Sequence, residues 1–226
     1  RDIRITSEGT QFSVDIETRN DGSRTLDGLL LPMFGDHNVA NALAAISVAL
    51  EIKIPDEQIA DGLRKFSGVK RRFTKTGDAN GVTIIDDYGH HPVEIAAVLN
   101  AARGIAKGRV IAVVQPHRYT RLMALFEEFC TCFNDADTVV VGPVHAAGED
   151  PIKGIDAAAL VQGMQTRGHR SVEIMENPAG LATIIHRLSQ PDDLVVCLGA
   201  GSITSWANAL PDELRALDSA KIKAAT

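Results

Sequence analysis

The residues able to do chemistry gather in three short stretches of the 226-residue chain. The first holds Asp86, Asp87, Tyr88, Gly89, His90, His91 and Pro92, and the second Gln115, Pro116, His117, Arg118, Tyr119, Thr120 and Arg121. The third is Gly199, Ala200, Gly201 and Ser202. A histidine and two arginines at the start of a helix make a local cationic pocket, reinforced by the free N–H groups of the helix N-terminus, and that suits a carboxylate or a phosphate. An acidic residue at a neighbouring strand end suits a ribose hydroxyl. The Gly-Ala-Gly-Ser turn lets backbone approach a ligand closely, although a GxG this short is a weak signal alone. Each stretch also has a purely structural reading. Acids and histidines at a strand end cap the next helix, and Arg118 and Arg121, three apart, fit solvated charge on one helix face. Asn38 and Asn41 are likewise three apart, which puts two carboxamides on one face or, more simply, makes Asn38 a cap and Asn41 an exposed polar site. Arg71 and Arg72 read as hinge charge, Trp206 as core, and His145, His169 and His186 are ungrouped and receive no role.

The elements around these stretches give them a common location. From Gly81 onward, strand-length β-branched runs (VTIIDDY, RVIAVVQP, TVVVGPV, SVEIM, DLVVCLGAG) alternate with Ala- and Leu-rich helical segments. Five such units specify a doubly wound, mostly parallel α/β sheet covered on both faces, because parallel strands need helical crossovers. Ligands of such sheets sit beyond the carboxyl ends of the strands, where all three stretches fall.

Upstream, Ile3, Ile5, Phe12, Val14 and Ile16 alternate with polar residues, broken at Glu8-Gly9 and Asn20-Asp21-Gly22, and a third run spans residues 26–31. This predicts short antiparallel strands. Asp36 as a cap, with Val39, Leu43, Ile46 and Leu50 behind it, predicts a helix, and Pro55-Asp56-Glu57 opens a second one over 58–66. Such a segment cannot close a core alone and reads as the tail of a larger α/β domain. The boundary falls in the basic, Gly-containing residues 67–75, giving units 1–70 and 71–226.

Composition narrows the function. With 23 basic against 29 acidic side chains the net charge is -6, which leaves no basic field for nucleic acid. No apolar run approaches the roughly 20 residues of a membrane-spanning helix, and no signal peptide precedes the first strand, so membrane insertion is not expected and a cytoplasmic protein is. Cys130, Cys132 and Cys197 lack metal-ligand spacing and read as reduced structural thiols. The chain opens at Arg1 directly in a strand pattern, as a fragment would.

At this point the residues resemble a known family. GDHNVANALAA resembles the GxHNxxNxxAA helix of the Mur ligases, and GVKRRF their linker. DDYGHHPVEI, QPHRYTR and LGAGSIT look like segments of the branch that adds L-alanine, in the right order over nearly the whole chain. The resemblance implies that 1–70 is the C-terminal part of an incomplete ATP-binding domain and 71–226 a Rossmann-like amino-acid-binding domain. It implies that Asn38 and Asn41 contact adenine, that Arg72 reaches the nucleotide phosphates, and that Asp87 binds the ribose with Tyr88 beside the nucleotide. His90, His117, Arg118 and Arg121 would line the amino-acid pocket. The implied reaction uses ATP and Mg2+ to activate the carboxylate of UDP-N-acetylmuramate as an acyl phosphate, which the amine of L-alanine attacks. No GxxGK[ST] loop occurs in the 226 residues. The expectation is therefore a C-terminal portion inactive by itself, with positioning rather than bond-making residues, no metal ligands and no tightly bound cofactor. Two alternatives stand beside it: the related ligase that reattaches recycled tripeptide, and a non-catalytic module that binds a nucleotide or an amino acid.

Overall fold

The computed structural model describes residues 1–18 and 22–224. The chain divides into two compact units, Arg1–Val69 and Lys70–Thr226.

In the first unit, β1 (Arg4–Thr6), β2 (Gly9–Thr18) and β3 (Gly22–Leu31) form an antiparallel meander, followed by α1 (Asp36–Glu51) and α2 (Asp56–Arg64). The expected break at Asn20-Asp21-Gly22 lies largely outside the described residues. Phe12, Ile16, Leu26, Leu29 and Leu31 meet Val39, Ala42, Ile46 and Ile59 in one small core. Two expectations change here. Gly35, at φ 95°, caps α1 without a side-chain bond, so Asp36 lies inside the first turn, where its charge complements the helix dipole. Leu43 is 40% exposed, because Val39, Ala42 and Ile46 carry the inward stripe and Leu43 falls on its flank.

The second unit holds β4 (Thr74–Ala79), β5 (Val82–Asp87), α3 (Pro92–Ile105), β6 (Val110–Val114), α4 (Tyr119–Ala124), α5 (Phe126–Thr131), β7 (Thr138–Val141), α6 (Ala157–Thr166), β8 (Val172–Ile174), α7 (Leu181–Leu188), β9 (Leu194–Leu198) and α8 (Ile203–Ala224). The sheet order is β4-β5-β9-β6-β7-β8, parallel except for β4. Successive strand residues point to opposite faces. Thus Val110, Ala112 and Val114 of β6 join the core under α3, α4, α5 and α6, while Ile111 and Val113 join the core under α7 and α8. This is the doubly wound sheet expected, and its two-sided burial explains why the strands read as unbroken apolar runs. Trp206 packs against the second core. The helical run after β6 is broken, with α4 and α5 meeting at Leu125 (φ -119°, ψ 28°).

The antiparallel edge β4 was not anticipated. Its signal is Asn80-Gly81, both at positive φ (57° and 80°), the pair favoured in a two-residue hairpin turn. The edge also repairs a defect in α8. Pro211 lies inside that helix and has no N–H to give the carbonyl of Ala207, four residues back. The Thr76 hydroxyl of β4 donates to that carbonyl at 2.9 Å.

Candidate functional site

The rim at the carboxyl ends of β5, β9 and β6 is built by ordinary local rules. After β5, His91 caps α3: its ring accepts the Val93 N–H, and Glu94 reaches back to the N–H groups of His90 (3.1 Å) and His91 (3.2 Å), a capping box. Burial raises the Glu94 carboxyl, but those two N–H groups outweigh it and hold the acid below its ordinary value. His91 thus takes the structural role, while His90 turns to the rim. Its Nδ1 lies 3.0 Å from the Tyr88 carbonyl and 3.4 Å from Glu94 Oε2. With only acceptors as partners, Nδ1 carries the proton and Nε2 is left as an acceptor.

After β6, His117 shows the opposite arrangement. Arg121 Nη1, which can only donate, sits 3.2 Å from His117 Nδ1, so that nitrogen accepts and Nε2 holds the proton. Burial first, then Arg121, His145, His90 and Arg118, push the His117 imidazole down to about 4, so it is neutral at neutral pH. The His90 and His117 rings lie edge to face with centroids 5.7 Å apart. In its neutral form the His90 ring presents Nε2 as an acceptor beside the Nε2 donor of His117. Arg121 folds back over His117, whereas Arg118 sits at φ 72° and turns to Glu149, Nη1 to Oε1 3.5 Å. The helix N-terminus expected to reinforce the pocket is taken: the Thr120 N–H donates to Glu149 at 3.0 Å.

The linker arginines flank Tyr88, which is 38% exposed; the Arg71 guanidinium lies 4.7 Å from its ring centroid and that of Arg72 6.0 Å. Arg71, read from sequence as hinge charge, is the more tightly held. It donates to the Gly199 carbonyl at 2.6 Å, its Nε is buried 4.0 Å from Asp86, and its carbonyl accepts the Tyr88 N–H. Asp87, 1% exposed, accepts the Phe73 N–H and the Gly89 N–H, both at 2.7 Å, so its carboxylate fastens the linker to the strand tip. Burial raises both acids of the pair; Arg71 opposes this at Asp86, and the two N–H groups and Arg72 at Asp87. At the third tip, Gln115 is buried and bridges Ser202 Oγ (3.0 Å) to the Ile203 N–H (3.1 Å), which opens α8.

His145, given no role from sequence, joins the rim: its ring stacks on His117 at 5.2 Å and 19°. The signal was available, since His145 follows the tip of β7 as the other stretches follow theirs. His169 and His186 pair elsewhere, with the Phe133 carbonyl and Asp218. In the first unit, Asn38 is buried with its amide on the Phe34 carbonyl, while Asn41 is exposed. No three His, Cys, Asp or Glu side chains among the described residues are grouped to hold a metal.

Residues 71–201 match the model of the family described as Mur ligase, glutamate ligase domain. The chain belongs to the Mur ligase family. Among curated Mur ligases it is 59% identical over 216 residues to a UDP-N-acetylmuramate--L-alanine ligase of Rhodospirillum rubrum, covering 95% of this chain and 45% of that protein. It is 60% identical over 210 residues to the enzyme of the same name from Rhodospirillum centenum, covering 92% of this chain and 44% of that one. The chain thus spans a little under half the length of the curated relatives it matches. Two solved structures share the fold. The UDP-N-acetylmuramate-alanine ligase of Thermotoga maritima has a TM-score of 0.72 at 23% identity over 92% of this chain and 44% of its own. The murein peptide ligase of Psychrobacter arcticus has 0.65 at 24% over 94% and 43%. No helix among the described residues is long and apolar enough to cross a membrane.

Proposed function

We propose that this chain forms the amino-acid side of a cytoplasmic, ATP-dependent ligase that joins L-alanine to UDP-N-acetylmuramate in peptidoglycan precursor synthesis, the activity for which the Rhodospirillum relatives are named. The observation that carries the reading is the placing of the His90 and His117 rings side by side next to Arg121, with Nδ1 of the first held by acceptors and Nδ1 of the second by a donor. The acceptor that a neutral His90 ring presents suits the amine of an amino acid, and the donor of His117 with Arg121 and Arg118 suits its carboxylate. Holding the amine in this frame contributes orientation, which can be worth about 7 kcal/mol in favourable cases.

ATP would supply the phosphoryl group that activates the acceptor carboxylate. The exposed Tyr88 ring between Arg71 and Arg72 fits a nucleotide, with Arg72 toward its phosphates, and Asn38 and Asn41 of the first unit are the adenine contacts on this reading. A ribose contact from Asp87 requires its bond to the Phe73 N–H to yield. None of the described residues is assigned to Mg2+, and with no GxxGK[ST] loop in its sequence the chain alone turns over no ATP and holds no cofactor tightly.

The test is phosphate release by the full-length gene product with ATP, Mg2+, UDP-N-acetylmuramate and L-alanine. No release with any amino acid rejects the reading. Preference for tripeptide over alanine would replace it by the recycling ligase, and nucleotide or amino-acid binding without turnover by the non-catalytic module.

A further inference from the structure

The loop between β7 and α6, residues 142–156, carries two side chains that touch the rim and are not absorbed by the functions above. We infer that this loop positions the carboxylate-binding groups, His145 by stacking on His117 and Glu149 by holding Arg118. The inference rests on the reading of the rim as an amino-acid site.

His145 is fixed from three directions. Its N–H donates to the Pro116 carbonyl and its carbonyl accepts the Arg118 N–H, both at 2.8 Å, so its backbone pairs with the segment that carries His117. Its ring lies nearly parallel to that of His117, 19° and 5.2 Å away. From the third tip, Gly201 comes so close that a Cβ there would sit 2.6 Å from His145 Cγ. The ring is therefore wedged between two strand tips and sets where His117 stands. The bond from Arg118 also anchors that residue in its φ 72° conformation, one that L residues adopt at a cost unless the surroundings impose it.

Glu149 does the matching work on the charge. Its Oε1 accepts the Thr120 hydroxyl at 2.6 Å and its Oε2 the Thr120 N–H at 3.0 Å, and Oε1 draws Arg118 Nη1 to 3.5 Å. These contacts hold the acid below its ordinary value, the Thr120 hydroxyl foremost, so it is ionised at neutral pH. One of the two arginines is thereby partly neutralised, leaving the Arg121 cation and the neutral His117 N–H donor as the partners of a single carboxylate. A ligand with a second carboxylate near Arg118 meets the charge of Glu149, and like charges brought together disfavour that ligand. The loop thus selects amino acids with one carboxylate.

The experiment is steady-state kinetics of the full-length protein. His145→Ala raises KM for the amino acid about tenfold, the scale of a lost aromatic contact, and leaves KM for ATP and kcat within about twofold. His145→Phe, which keeps a ring to stack, returns KM for the amino acid to within about threefold of wild type. Glu149→Gln, which keeps an acceptor for Thr120, improves L-glutamate relative to L-alanine by about tenfold in kcat/KM. Unchanged amino-acid KM in His145→Ala, or equal changes in both KM values and kcat, overturns the inference while the ligase reading stands. So does failure of Glu149→Gln to change the ratio. A wild-type protein that uses no amino acid removes the reading and this inference together.

Discussion

Replacing Gly201 by Ala adds one methyl group where the three strand tips crowd most closely. The glycine is outside the left-handed region, so the change costs nothing in backbone conformation and its effect is steric. A Cβ there would lie 2.5 Å from Gln115 Oε1 and 2.6 Å from His145 Cγ, distances that real Cβ atoms do not adopt. One neighbour must yield. If Gln115 swings away, the buried Ile203 N–H loses its acceptor, at about 1–3 kcal/mol. If His145 retreats instead, overpacking and the lost stack cost a similar amount, about 1–3 kcal/mol. Either route gives about 2 kcal/mol, and at about 2–4 °C per kcal/mol for a chain of this size the melting temperature falls by about 4–8 °C. Calorimetry of the 226-residue chain measures the loss, and the His117 ring proton in NMR reports the route, since a displaced His145 lets its titration midpoint rise. A Tm within 1 °C of wild type, with the His117 titration unmoved, would refute the packing argument.

Two further outcomes follow from the charges. His117 titrates with a midpoint near 4 in an NMR pH series, because burial and the neighbouring cations hold the ring neutral. A base with a depressed folded value takes up its proton more readily when unfolded, so its contribution to stability is complete above the unfolded value of about 6.5 and is lost as pH falls from there toward 4; a midpoint above 6 would contradict the assignment. Asp193, 3% exposed, accepts the N–H groups of Arg109 and Gln190 at 2.8 Å and pairs with the Arg109 guanidinium at 2.7 Å. Burial raises its carboxyl, but these donors win and hold it below the ordinary value, so its stabilisation is present above pH of about 3.9 and disappears as pH falls below it. Asp193→Ala strands two backbone donors and costs about 2–4 kcal/mol by urea denaturation at pH 7, with a smaller difference from wild type at pH 3; equal losses at both pH values would count against the ionic account.

The second unit was legible because β5, β6, β7 and β9 are buried on both faces and the crossovers between its parallel strands are helices, so apolar runs specify most of the sheet. What the runs do not encode is β4, whose polar Thr-Lys-Thr start looks like linker; only Asn80-Gly81 marks the hairpin. Within the rim, residue types at strand tips identified His90, His117 and Arg121, whose contacts lie in or beside their own segments. Glu149 escaped because its partners Thr120 and Arg118 are more than 25 residues away, a relation that spacing along the chain does not carry, whereas His145 bore the strand-tip signal without a neighbour in its own segment to group it. Asp87 and Arg71 illustrate a different limit: a sequence shows that an acid and a cation are present, while only geometry shows that backbone groups already occupy them.

The hydroxyl of Thr76 and the ring of Pro211 have a consequence for how the second unit comes into being. The carbonyl that Pro211 leaves without a helical donor is served from the first strand of the unit, 131 residues earlier. Neither end of the fold is complete in the other's absence. During synthesis the Thr76 hydroxyl meets this acceptor only once the final helix has emerged, and that helix, with an interrupted ladder of its own, gains its missing bond only on docking. Such a closure costs chain entropy, and it shares that cost with the β5–β9 pairing, which already brings together Ile84 and Val195 from the two halves of the unit.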